Sequence, residues 1–287
     1  MISKNLVQRV GFAIVAIPLA IAVIYAGGWL LAGVLAALGV LGTREIYDLA
    51  RRQAIQPLGW AGYLASAALP LGAYWAKGSQ VHWAEPAIFI GALWLLVILT
   101  AAMPSRGPGG RPLTAVAVTV FGSLYASALL AFIIPLRHGA AAGTPPWAAT
   151  WLVLLPLALT WICDTCAMAA GIAIGGPKLA PVLSPKKTWA GAVGGLAGAV
   201  AAALALGLWV LPGVGLTLGA GELVLLGAVV GVLAQVGDVA ESLFKREAGV
   251  KDSSALIPGH GGVLDRLDSL YFVVPATAGL FKLFGVL

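Results

Sequence analysis

E-L-V-L-L-G-A-V-V-G-V-L-A-Q-V-G-D-V-A-E-S-L-F-K-R, residues 222–246, begins as an apolar run and ends on a polar helical face. The part from about 222 to 240 is long enough to cross the roughly 30 Å hydrocarbon core of a bilayer as a helix. Its apolar residues are continuous rather than alternating, and backbone facing lipid must satisfy its own hydrogen bonds, so helix is preferred to strand. Asp238 lies inside the run. Glu241, Ser242 and Lys245 follow it at spacings of three and four, which puts all four on one face. The chain then continues K-R-E-A-G-V-K-D-S-S-A-L-I-P-G-H-G-G-V-L-D-R-L-D to Asp268. Eight charged side chains fall between Ser242 and Asp268 in a chain of which only 10% is charged.

Working outward, apolar runs of spanning length recur at about 10–27, 29–48, 58–76, 83–103, 113–135, 147–171, 189–211 and 270–286, beside the one at about 222–240. With 287 residues, 60% of them hydrophobic, no large soluble domain fits beside these runs. The sequence therefore predicts an all-α, polytopic integral membrane protein with about nine transmembrane helices. Residues 1–110 are expected to form N-terminal transmembrane helices, and 111–287 a transmembrane domain that carries the polar, cytoplasm-facing residues. Met1 to Arg9 carries two cations ahead of an apolar run, but a second run follows closely, so a first crossing is expected rather than a cleaved leader. Placing the N-terminus in the cytoplasm puts 14 of the 17 Lys and Arg residues inside and leaves Lys77, Arg137 and Lys282 outside.

The first half offers little chemistry. Glu45 and Asp48 lie among Arg44, Arg51 and Arg52 and read as a solvated helix end. Cys163 and Cys166 form a C-x-x-C with no second pair to complete a zinc site, and read as packing residues.

Three polar elements in the second half return to the cytoplasmic side. Asp164, in W-I-C-D-T-C-A, is a carboxylate in an apolar helix, and such a residue is by default a functional candidate. The loop G-G-P-K-L-A-P-V-L-S-P-K-K-T-W, 175–189, has three prolines that forbid a continuous helix. Its Lys178, Lys186 and Lys187, with Ser184 and Thr188, suit either an ordinary cytoplasmic loop or a polyanion site. The third element is the passage from Asp238 to Asp268. Glu241 with Lys245 reads equally as an exposed i,i+4 pair or a functional one. Asp265 and Asp268, three apart, aim the same way on a first helical turn. With Asp238 they form a hard-oxygen group suited to magnesium, which takes few protein carboxylates and shares substrate phosphates. His82 and His138 fall on the outer side, so a soft-metal site is not expected.

The passage 242–268, supported by D-T-C-A and K-L-A-P-V-L-S-P-K-K-T-W upstream, resembles the C-terminal motif of the phosphatidate cytidylyltransferases, also called CDP-diacylglycerol synthases. The resemblance covers about 120–287. It implies transfer of cytidylate from CTP to phosphatidate, a requirement for Mg2+ with room for a second, monovalent cation, and a homodimer. It also implies a multi-pass protein of the inner (plasma) membrane whose site faces the cytoplasm, with no nucleic acid partner. Matched by position, Asp238, Asp265, Asp268, Lys245 and Arg246 are expected to be catalytic, the three aspartates as metal ligands. Asp164, Lys178, Ser184, Lys187, Ser242, Lys251, Asp252, His260 and Arg266 are expected to bind substrate. Met168 and Ile172 depart from the aromatic and basic residues common in that family.

The residue types suit this chemistry independently. A phosphate monoester with a second pKa of about 6 is already a nucleophile at neutral pH, so no strong general base is needed. The remaining demand is to neutralise two polyanions, which carboxylate-held metal and basic side chains meet. An ion-coupled transporter is the competing class, because Asp164 and Asp238 could form a relay, but no inverted repeat is evident. A lipid kinase would need phosphate recognition of another kind, and no G-x-x-x-x-G-K-S/T loop is present. In a chain lacking Cys163 and Cys166, Lys187→Cys and Lys251→Cys should resist membrane-impermeant thiol reagents in intact cells. Ready labelling from outside would invert the orientation.

Overall fold

The computed structural model describes residues 4–79, 83–256 and 261–287. Helices dominate it. In chain order they are α1 (Lys4–Ala26), α2 (Gly28–Arg51), α3 (Gly59–Lys77), α4 (Ala84–Ser105), α5 (Pro112–Ser123), α6 (Leu129–Ala131), α7 (Ile133–His138) and α8 (Pro146–Ala173). A ribbon of β1 (Lys178–Ala180) and β2 (Ser184–Thr188) follows, then α9 (Trp189–Trp209), α10 (Ala220–Glu247), α11 (Leu264–Leu267) and α12 (Leu270–Leu283). The pieces α5, α6 and α7 make one rod, interrupted by a π turn at Leu124–Ala128. Six helices are long and apolar enough to cross a membrane: α2, α4, the α5–α7 rod, α8, α9 and α10. The described apolar part of α1, Ile14–Ala26, is shorter, and α12 has 14 residues.

The expected loop after α8 is instead an antiparallel ribbon, with Lys178 opposite Thr188 and Ala180 opposite Ser184. The prolines do exclude helix there, but they leave enough free N–H groups for a short ladder. Thr188 ends the ribbon and starts α9, its hydroxyl accepting a hydrogen bond from Gly191 N at 3.1 Å.

Small residues set the packing. Gly195 and Gly198 of α9 lie against Cys163 and Cys166 of α8, so both thiols are free packing groups, as their sequence context suggests. Gly227 and Gly231 of α10 bring that helix against Ala199 and Val200 of α9. Such close backbone approach is how helices associate in lipid, where no hydrophobic driving force separates tails from leucines. The turn between α1 and α2 needs two consecutive left-handed residues, Gly27 and Gly28. The end of α7 fastens it: Arg137 donates to Ile24 O at 2.7 Å and Tyr25 O at 2.6 Å, and Gly28 N donates to His138 Nε2 at 3.0 Å. These bonds satisfy carbonyls that the end of α1 leaves open.

In the N-terminal half, Tyr47 of α2 is fully buried and donates to Thr119 O at 2.7 Å. Its ring occupies notches left by Gly62 on α3 and Gly122 on α5, where a methyl group would overlap it. Gly62→Ala should therefore destabilise the protein by about 1–3 kcal/mol through overpacking. Gly72→Ala, on the same helix with no neighbour within 4 Å of the added carbon, should lose nothing. Thermal unfolding in detergent compares the two.

Candidate active site

The helices α8, α10 and α12 and the turn around α11 surround a cavity of about 200 Å³. Its lining includes Asp164 from α8, Asp238 from α10, and Asp265, Arg266 and Asp268 from the turn before α12. The turn lies close on α10 because residue 237 is glycine: an added carbon there would stand 2.6 Å from Asp268 O. Ser269 fixes the same contact by donating its hydroxyl to Ala234 O at 2.9 Å. Thus Asp238 and Asp268 face one space although 30 positions separate them.

Each carboxylate has its own surroundings. Asp238 is half-buried and pairs with Lys187 of the ribbon at 2.7 Å, while Ser242, one turn along α10, sits 3.5 Å from its other oxygen. Asp268 accepts from Ser269 N at 2.6 Å. Burial first, and then the neighbouring Asp238, raises its carboxyl above the usual range. Asp265 is the opposite case. One oxygen meets Lys245 Nζ at 2.7 Å, and the other accepts from Ser253 N, Ser253 Oγ and Gly262 N at 2.8–2.9 Å. Burial alone would raise this carboxyl, but the Gly262 N–H, the Lys245 ammonium and Ser253 outweigh it and hold it below the ordinary value.

Among the described residues no three His, Cys, Asp or Glu side chains converge at metal-binding distance. Each member of the expected trio has other partners: Lys187 for Asp238, Lys245 and Ser253 for Asp265, and the Ser269 N–H for Asp268. The donor set nevertheless fits magnesium chemically. Asp164, Asp238, Asp265 and Asp268 all border the cavity with hard oxygen atoms, against few cations.

Two sequence readings change. Glu241 is fully buried, 3.3 Å from Lys245 Nζ, so the exposed-pair alternative is excluded. Glu45 is no solvated helix end. It is buried and accepts hydrogen bonds from Ser253 Oγ, Ser254 Oγ, Val263 N and Leu264 N at 2.8–2.9 Å. Asp48 alone makes the exposed contacts expected there, to Arg51 at 2.6 Å and Arg44 at 4.0 Å.

A family model described as "Cytidylyltransferase family" matches residues 7–284. The chain belongs to that family. Among its relatives, a phosphatidate cytidylyltransferase of Synechocystis is 32% identical over 292 residues, covering 93% of this chain and 94% of the relative. Phosphatidate cytidylyltransferase 4, chloroplastic, of Arabidopsis thaliana is 33% identical over 99% of this chain and 76% of its own. A phosphatidate cytidylyltransferase of Brucella suis is 44% identical over 152 residues, and that match spans about half the length of each chain.

For a cytidylyltransferase the remaining matched residues are spread around the cavity rather than gathered in it. Arg266 is on its lining. Arg246 is not: its guanidinium donates to Leu183 O at 3.2 Å and Val250 O at 3.0 Å, tying the ribbon turn to the segment after α10. Lys178 is exposed at the start of the ribbon, Ser184 is half-buried, and Lys251 and Asp252 are exposed beyond α10. His260 lies outside the described residues.

The buried Lys245–Asp265 pair makes two measurable demands. Lys245→Met strands the Asp265 carboxylate and should cost about 3–5 kcal/mol of stability. Because the folded Asp265 carboxyl lies below its unfolded value of about 3.9, its contribution is complete above that pH and is lost as pH falls through the folded value. Thermal midpoints should drop on acidification below about pH 4, and Asp265→Asn should flatten that drop.

Proposed function

We propose that this cytidylyltransferase transfers cytidylate from CTP to phosphatidate, giving CDP-diacylglycerol and pyrophosphate. The observation that carries the reading is the acidic cavity of Asp164, Asp238 and Asp268, rimmed by Lys187 and Arg266 at the ends of apolar helices. A phosphate oxygen of the lipid attacks the α-phosphorus of CTP, forming one P–O bond while the bond to the β-phosphate oxygen breaks. The pyrophosphate leaves with the electron pair. No group has to remove a proton from a lipid phosphate whose second pKa is about 6. The residues instead position two anions and offset their repulsion.

Asp238 and Asp268, with Asp265, would hold Mg2+, which when bound offsets charge on the reacting phosphates. The excess of carboxylates leaves charge for a second, monovalent cation. Lys187 binds phosphate in exchange for its contact with Asp238, Arg266 offers a planar fork to the same groups, and Arg246 positions the ribbon that carries Lys187. We further place α1, α3 and α12 in the membrane as well, for nine crossings, with the N-terminus and the cavity mouth on the cytoplasmic face of the plasma membrane. The working form is a homodimer that acts on lipid and nucleotide and on no nucleic acid.

Purified protein given CTP labelled in its α-phosphate, phosphatidate and Mg2+ should move label into the lipid phase. Asp238→Asn and Asp268→Asn should each reduce turnover about 10²-fold or more, as removal of a principal electrostatic stabiliser does. Absence of labelled lipid from the unsubstituted protein would sink this function.

A further inference from the structure

We propose that Glu45, on a helix of the N-terminal half, is a positioning residue for the active site: it clamps the segment bearing Ser253, Val263 and Leu264, and acts on Asp265 through the Ser253 hydroxyl. The kinetic part of this inference rests on the cytidylyltransferase reading above; the clamp itself rests on geometry alone.

The Glu45 carboxylate is only 3% exposed, and among the described residues no cation pairs with it. Its charge is met by hydrogen bonds alone, one backbone N–H and one hydroxyl at each oxygen, the Ser253 hydroxyl being shared with Asp265. Ser254 Oγ and Val263 N reach Oε1 at 2.8 and 2.9 Å, and Ser253 Oγ and Leu264 N reach Oε2 at 2.8 Å. The donors come from both ends of one polar segment, so the carboxylate closes that segment as a clasp would. Donors aimed at a buried carboxylate are strong because the acceptor is charged.

Ser253 transmits the effect. Its single hydroxyl hydrogen faces two acceptors, Glu45 Oε2 and Asp265 Oδ2, each at 2.8 Å, while its own N–H also donates to Asp265. Asp265 in turn pairs with Lys245, which stands 3.3 Å from Glu241. A continuous chain of buried polar groups therefore runs from α2 to α10 through the turn that presents Asp268. In a water-poor setting such networks polarise as a unit, and a member that loses its partner disturbs the others. Gly262 seals the arrangement, since any side chain there would overlap both Glu45 and Ser253.

The test uses the full-length protein in detergent. Glu45→Gln keeps the shape but turns one acceptor into an NH2 group facing two donors. Amide exchange at Ser253, Val263 and Leu264 should quicken about tenfold or more relative to α9, as local opening requires. The loss of turnover with CTP and phosphatidate should be about 10–100-fold, the range seen when partners of metal-site ligands are removed, with a raised Mg2+ requirement and little change in the KM for CTP. Ser253→Ala, which leaves Glu45 and its two backbone donors in place, should reproduce the Mg2+ effect with less change in exchange at Val263 and Leu264. The double variant should be no worse than Glu45→Gln alone. Unchanged exchange in Glu45→Gln, or additive losses in the double variant, would overturn the inference. If the unsubstituted protein makes no labelled lipid, the proposed function fails while the exchange measurement still decides the clamp.

Discussion

The Lys245–Asp265 ion pair is the constraint on which the site depends. It is 2.7 Å long and nearly sealed from water, and it joins α10 to the turn before α12. An ammonium and a carboxylate removed from water repay that removal only with close geometry and further hydrogen bonds. Here the contact is close, Ser253 and Gly262 supply the carboxylate with donors, and the Glu241 carboxylate lies 3.3 Å from the ammonium. Once the pair fixes the turn on α10, Asp268 has no choice but to face Asp238. Gly237 and Ser269 make that approach close enough to form a cavity.

Charge bookkeeping around the cavity separates two kinds of carboxylate. Glu45 takes only neutral N–H and O–H donors, while Asp265 has one oxygen on the Lys245 ammonium and the other on Ser253 and Gly262. Asp238 and Asp268 have lighter ties, one to a lysine on a short ribbon and the other to a single backbone N–H. The ribbon itself is steered from α10 by Arg246, which donates to the Leu183 carbonyl. A positive side chain from the ribbon and an acidic one from the helix thus meet at 2.7 Å.

The elements most legible in the sequence are those for which an apolar context leaves few alternatives. Asp164 and Asp238 stood out because carboxylates in apolar helices demand a reason, Asp265 and Asp268 because of their spacing, and all four reach the cavity. Glu45 was hidden by its neighbours: Arg44, Asp48, Arg51 and Arg52 give that region the look of a wet helix end. Its signal lay in position instead, since Leu31, Leu35, Leu38, Gly42, Glu45 and Leu49 follow the three-four spacing of a single stripe. Glu241 and Lys245 share an i,i+4 spacing whether wet or dry. What buries them is the segment ending at Asp268, which local pattern cannot place. The ribbon was unreadable for a related reason, as its strands exist only through their pairing with each other.

The clasp at Glu45 has a consequence for the order in which the protein is made. Its first partner in the chain, Ser253, lies 208 positions downstream. At ribosomal rates of about 5–20 residues per second, some 10–40 s separate the emergence of the two. Throughout that interval the Glu45 carboxylate lacks all four donors it has in the folded chain and must be met by water. Arg137 imposes a delay about half as long on the end of α1, whose carbonyls wait for a donor more than a hundred residues away. The segment that answers Glu45 thus both holds α2 in place and carries the residues that complete the cavity.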